Sequence, residues 1–243
     1  MTEKPEATHG PSDIARRLRE KLRRRAHRAT EILHKTYGSP RHGNKEDPVD
    51  ELVFIILSQM TTHWSFNRVF ERLKRNYPTW DTAVSAPIKD LASVIADAGL
   101  SNQKARCIQM VLDRVRGDFG RVTLAPLEAL PDLEAERYLT SLPRVGVKTA
   151  KCVMMYSLGR LVLPVDTHVW RLARRLGLVS WELPYTQVHD ALESAIRPLD
   201  RYGFHVNAIA HGRALCLPKR PRCGSCPLRR LCPFPKLNPG SVL

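Results

Sequence analysis

No apolar run in this 243-residue chain approaches the ~20 residues needed to cross a bilayer, which excludes a helical membrane span and leads us to expect a soluble protein. A signal-peptide core is also missing: residues 1–11 are polar and include Pro5, Gly10 and Pro11, the composition of a mobile tail. The implied location is cytoplasmic, and nucleoid-associated if the source is bacterial. Strand-type alternation is lacking, which leaves an all-α fold. There is no internal repeat, and no acidic cluster arranged for paired divalent cations, which argues against a metal-dependent nuclease. Acidic residues are scarce beside basic ones, 24 against 39, giving a net charge of +15 and a pI near 10.0. Such a surplus calls for a polyanionic partner, most commonly nucleic acid, although ribosome-associated and membrane-surface proteins share it.

What is present is helical periodicity. From Ser12 onward, Ile14, Leu18, Leu22, Ala26, Ala29 and Leu33 recur at three- and four-residue intervals among Arg16, Arg17, Arg19, Lys21, Arg23, Arg24, Arg25 and Arg28, the pattern of a basic amphipathic helix. Glu3, Glu6, Asp13 and Glu20 speak against a mitochondrial presequence. A strongly apolar helix is expected to start at Val53–Leu57. Further helices are expected over 64–77, 88–98, 102–118, 127–130, 133–141, 169–176, 186–196 and 204–214.

Between these lies Leu142-Pro143-Arg144-Val145-Gly146-Val147-Lys148-Thr149-Ala150, followed by Val165-Asp166-Thr167-His168. Pro143 ends one helix, Gly146 permits a tight turn and Val147 opens the next helix, giving a helix, a hairpin and a helix. Unpaired N–H groups and the positive dipole end at the second helix's start form a ready site for a phosphate oxygen. Taken alone, the stretch also fits an ordinary turn between core helices, Lys148 a phosphate-binding lysine, and Asp166 an N-cap. Of six cysteines, Cys107 and Cys152 fall in apolar helical patterns as core thiols, whereas Cys216, Cys223, Cys226 and Cys232 cluster after His211-Gly212-Arg213. The cluster points to a metal site, and four thiolates suit zinc as well as iron and sulfur.

Taken together, the hairpin, the Val-Asp-Thr-His stretch and the Cys-x6-Cys-x2-Cys-x5-Cys segment resemble the endonuclease III family of helix-hairpin-helix DNA glycosylases, from about Glu51 to Cys232. The resemblance implies a six-helix barrel over 42–160, and a cluster-bearing helical domain from 12–41 and 161–237, with a tail at 238–243. It implies a [4Fe-4S] cluster on the four clustered cysteines, zinc being the alternative. It makes Lys148 the nucleophile of a bifunctional glycosylase and AP lyase, and Asp166 the carboxylate that favours an oxocarbenium-like transition state. Such a lysine must lose its proton, since at its unperturbed pKa of ~10.4 only about one in a thousand is a free amine at neutral pH. The implied partner is double-stranded DNA with damaged bases or abasic sites, bound by a monomer. Arg144, Val145, Gly146 and Val147 would meet phosphate. Lys219, Arg220 and Arg222, in a loop pinned between the first two cysteines, would meet the DNA backbone; the arginines of the first helix, read from their pattern alone, fit either a contact with DNA by some of them or a solvated basic face on a docked helix.

Gly99-Leu100-Ser101-Asn102 resembles the family's wedge loop, with Leu100 inserted into the stack; a packing leucine would look the same. Leu57 to His63 matches a helix start that faces the lesion. There the usual glutamine is displaced from Met60 to Gln59, and His63 stands for an aspartate. Arg144 replaces the first hairpin glycine, and Asp132 to Ser141 lengthens the approach to the hairpin. The substrates the resemblance implies are oxidised pyrimidines. The alternatives are a uracil or thymine mismatch glycosylase and a noncatalytic binder of DNA structure.

Overall fold

The computed structural model describes residues 11–41, 43–59 and 66–237, and among them there is helix and turn but no strand. The all-α expectation therefore holds. The chain divides into two compact units, Met1–Pro40 with Val165–Leu243, and Arg41–Pro164.

The continuous unit is organised around α2 (Pro48–Ser58), whose residues are almost all buried. A helix that is apolar on every side belongs in a core, and α2 packs against α3 (Phe66–Asn76), α6 (Ser101–Phe119) and α8 (Val147–Tyr156). It begins at Pro48 rather than at the apolar run from Val53. Asp47 Oδ1 accepts from the amides of Val49 and Asp50 at 2.9 and 2.8 Å, and Pro48 brings a preset φ to the first turn. The short α4 (Trp80–Val84) was not foreseen, and α5 (Ile88–Val94) stops before a 3-10 turn at Ala96–Ala98. The single helix expected over 88–98 is thus broken. At the break, Arg72 Nε donates to the Val94 carbonyl at 2.6 Å, a partner from outside the helix. Of the helix expected over 127–130, residues 127–129 belong to a 3-10 turn, Ala125–Ala129, with Pro126 in its first positions, and Leu130 is already extended. α7 (Asp132–Ser141) then leads to the hairpin and α8. The expected helix start at Trp64 and the readings placed on Met60 and His63 lie outside the described residues.

The discontinuous unit holds α1 (Pro11–Tyr37), α9 (Thr167–Arg175), α10 (Tyr185–Ala195), α11 (Arg201–Ala214) and the single turn α12 (Phe234–Leu237). α11 packs against both α1 and α9. On α1, Ala26, Ala29 and Leu33 are fully buried, so the small residues bring its backbone close to the body. Two arginines staple the same helix down: Arg25 Nη1 donates to the Leu176 carbonyl at 3.1 Å and Arg23 Nε to that of Ser194 at 3.2 Å.

Candidate functional site

In the continuous unit, the hairpin joins α7 to α8 through Leu142–Gly146. Its left-handed residue is Arg144 (φ +61), not Gly146, which is extended at φ −94 and ψ 171. The turn therefore does not draw on the glycine's conformational freedom, and Arg144 carries a left-handed strain of about 1–2 kcal/mol. Nor is Gly146 crowded: a Cβ added there would meet nothing within 4 Å. Gly146 is the N-cap residue of α8 and brings no side chain to cap it. The first amides of α8 lie at the positive end of the helix dipole, with half-buried Lys148 in the first turn. Val145 is buried, while Arg144 and Val147 are exposed.

Leu100 is also left-handed (φ 49), and it is 49% exposed at the N-cap of α6. A β-carbon in that conformation beside an exposed apolar side chain does nothing for the core. Gln59, Leu100 and Arg144, three of the residues expected at DNA, line one cavity of about 80 Å³ together with Gln103, Lys104 and Cys107. Behind it, the buried Lys104 donates through Nζ to the Leu57 carbonyl at 2.7 Å and to the Ala98 carbonyl at 2.8 Å. One ammonium thus ties the end of α2 to the turn that precedes Leu100. Burial pushes its pKa down.

Glu51 is completely buried on α2 and accepts from Asn44 Nδ2 at 2.6 Å and from the Lys45 amide at 2.7 Å. Burial raises its pKa to about 7, against the pull of those hydrogen bonds and of the Lys148 and Lys45 charges. Lys151 is buried as well, paired with Glu136 at 3.0 Å.

Asp166 belongs to the discontinuous unit, where it is the N-cap of α9. Its Oδ1 accepts from the amides of His168 at 2.9 Å and Val169 at 2.8 Å. One carboxylate oxygen holds the helix start, and Oδ2 takes no amide among the described residues. Further along α9, Arg171 Nε donates to the Cys216 carbonyl at 2.8 Å. Arg175 Nη1 donates to the Leu217 carbonyl at 2.7 Å and to Cys216 Sγ at 3.2 Å, and its Nη2 to the Pro218 carbonyl at 3.0 Å. The helix that carries the carboxylate at its head therefore grips the cysteine loop with its tail. Gly212 is required by contact: a Cβ there would sit 2.6 Å from His168 Nδ1.

Cys216, Cys223, Cys226 and Cys232 line one small cavity of about 20 Å³, with Leu172, Arg175, His211 and Phe234 also in its wall. Burial, and then the nearness of the other thiols, raises Cys226 and Cys232 to about 11. Such a set ionises readily only around a cation. No three His, Cys, Asp or Glu side chains among the described residues are gathered for a single ion. The four thiols lining this space are a donor set that zinc and an iron–sulfur group share. Lys219, Arg220 and Arg222 are exposed on the loop that Arg175 holds from inside. Sequence reasoning passed over Lys104, Gln103, Arg171 and Arg175. Only Gln103 had a local signal, three residues after Leu100.

Residues 53–198 match the HhH-GPD superfamily base excision DNA repair protein family. Endonuclease III of Synechocystis sp. is 33% identical over 89% of this chain and 96% of its own length. The Arabidopsis thaliana glycosylase-like protein At3g47830 is 35% identical over 70% of this chain, which spans 58% of that longer relative. A solved structure of a trapped endonuclease III–DNA covalent intermediate superposes with a TM-score of 0.77 at 28% identity, covering 89% of this chain and 98% of that one.

Proposed function

Because the chain belongs to the HhH-GPD superfamily of base excision DNA repair proteins, and within it to the endonuclease III family, we propose that it is a bifunctional DNA glycosylase and AP lyase. It acts as a monomer on duplex DNA, removing oxidised pyrimidines and nicking the abasic site. The observation that carries this reading is Lys148 in the first turn of a helix whose N-cap residue is a glycine. Phosphate on the first amides of α8 would anchor the backbone while the lysine beside them meets the sugar.

The neutral Lys148 amine adds to the anomeric carbon of the deoxyribose, and the carbon–nitrogen bond to the base breaks, the base leaving with a proton. The nitrogen lone pair then expels the ring oxygen, which takes up a proton as the sugar opens, giving a protonated Schiff base. Its electron demand acidifies the adjacent carbon, whose proton is removed as the 3′-phosphate departs; water then frees the lysine. Asp166, with Oδ1 committed to two amides, offers its remaining oxygen to the positive charge that develops on the sugar.

The donor set of Cys216, Cys223, Cys226 and Cys232 fits a [4Fe-4S] cluster, which when bound is a structural clip for the loop carrying Lys219, Arg220 and Arg222. Leu100, which lines one cavity with Gln59 and Arg144, would occupy the space left by the extruded nucleotide, since a base that is taken out of the stack leaves a gap to fill.

The test is borohydride trapping on a duplex with one abasic site, comparing the natural protein with Lys148→Ala. A covalent adduct that disappears in the variant supports the lyase. No adduct from a folded, DNA-binding natural protein overturns it.

A further inference from the structure

The N-terminal half of α1 stands apart from the body of its unit. Residues 15–21 are exposed on every side of the helix rather than on one face, Leu18 to 56%, and burial begins only at Ala26. A helix without packing usually frays, yet this one carries its own support. Ala15 to Arg23 are nearly all strong helix formers. Asp13 sits in the first turn, where its charge suits the dipole. Asp13 pairs with Arg16 and Arg17, and Glu20 with Arg24, at helical spacing.

The charge on this arm is lopsided. Residues 13–28 hold eight arginines and lysines against two acids. A helix face that serves only solubility does as well with mixed signs, whereas like charges crowded on one rod repel one another and weaken it. Arg23 and Arg25 are spent on the staples to the body. Arg17, Lys21, Arg24 and Arg28 follow one another at four, three and four residues, so they form one stripe, and all are exposed. At 1.5 Å per residue the stripe is about 16 Å long. Duplex DNA presents a charge about every 1.7 Å of its axis, so a rod of this length faces several phosphates at once.

We propose that this preformed arm is a second DNA-binding surface, which grips the phosphate backbone of undamaged duplex independently of any lesion. The inference rests on the reading of the protein as a DNA enzyme, and it adds a contact that the hairpin, the cavity around Leu100 and the cysteine loop do not supply. Because the helix is formed before it meets DNA, little ordering entropy opposes the contact. Phosphate contacts carry no sequence information, so the arm holds the enzyme on DNA without choosing a site.

The test is the salt dependence of binding to an undamaged duplex, for the natural protein, for Arg17→Gln/Lys21→Gln/Arg24→Gln/Arg28→Gln together, and for a version with lysine at all four positions. Each phosphate contact contributes about −0.9 to the slope of log K against log salt. The glutamine variant should flatten the slope by about 3.6 if all four charges meet phosphate, and bind at least about tenfold more weakly at low salt. The lysine version should keep the natural slope, because a point charge suffices for phosphate. Circular dichroism shows whether the helix survives in each variant. An unchanged slope in a folded glutamine variant overturns the proposal, and so does a lysine version that behaves like glutamine. Borohydride trapping at saturating protein separates this from the catalytic reading: the glutamine variant should still form the Lys148 adduct. If no form of the protein traps, the lyase reading falls while the slope still decides the arm.

Discussion

Replacing Gly146 with alanine separates what the fold needs from what a DNA ligand needs. The backbone there, φ −94 and ψ 171, is open to any residue, and the new Cβ would meet nothing within 4 Å. Alanine should therefore leave the folded state intact: the about 0.4–1 kcal/mol gained by restricting the unfolded chain is offset by alanine's poorer fit at an N-cap, so stability should stay close to natural. The same methyl group sits beside the first α8 amides, where a phosphate oxygen has to approach the backbone. Loss of one charge-assisted N–H···O contact costs about 1.5–3 kcal/mol, roughly a ten- to hundredfold rise in Kd. Urea unfolding and anisotropy titration of a duplex with a stable abasic analogue measure the two halves. Gly146→Ala with natural stability and natural affinity would refute the phosphate role of the helix start. A clear loss of stability would refute the steric reasoning, because the glycine would then be serving the fold.

Three further outcomes follow from the site. Asp166→Asn should keep both amide caps and lose less than about 1 kcal/mol, while Asp166→Ala should lose about 1 kcal/mol or more; both should be severely impaired in base release, measured by single-turnover kinetics. Glu51 has its folded pKa raised to about 7, so its contribution to stability is complete below the ordinary carboxylate range and is lost as pH climbs through about 7. Glu51→Gln should therefore gain on the natural protein as pH rises from about 5 to about 8, read from urea midpoints. Lys104→Met keeps the buried stem but strands the carbonyls of Leu57 and Ala98, and should cost about 2–4 kcal/mol with an unchanged urea slope.

The helices that carry the site were legible because local chemistry announces them. Pro143 and the apolar spacing after Gly146 bracket the hairpin, and Asp166 reads as the start of a helix, which it is. The tight turn expected of Gly146 does not use a positive φ there; Arg144, which stands for the first hairpin glycine, takes the left-handed conformation instead. α2 begins earlier than its apolar run suggests, although Asp47-Pro48 was a signal in plain view. Other features have no local signature at all. The carbonyl that Lys104 reaches on Leu57 lies 47 residues away, and those that Arg175 holds on Leu217 and Pro218 lie 42 and 43 away. No spacing rule encodes such partners, because only the packed fold brings them together.

The two units differ in how the chain is divided between them, and this bears on the order in which they can form. Residues 41–164 are contiguous, so every element of that core has left the ribosome once Pro164 is free. The other unit needs both ends of the chain: α1 is made first, yet its partners α10 and α11 come more than 140 residues later. Until they arrive, the nascent chain trails a helix whose apolar stripe of Ala26, Ala29 and Leu33 has nothing to cover it. Its many arginines keep that early segment repelled from its own copies and soluble while it waits. A ribosome stalled soon after Pro164 should show protease protection across 41–164 and open cleavage within α1.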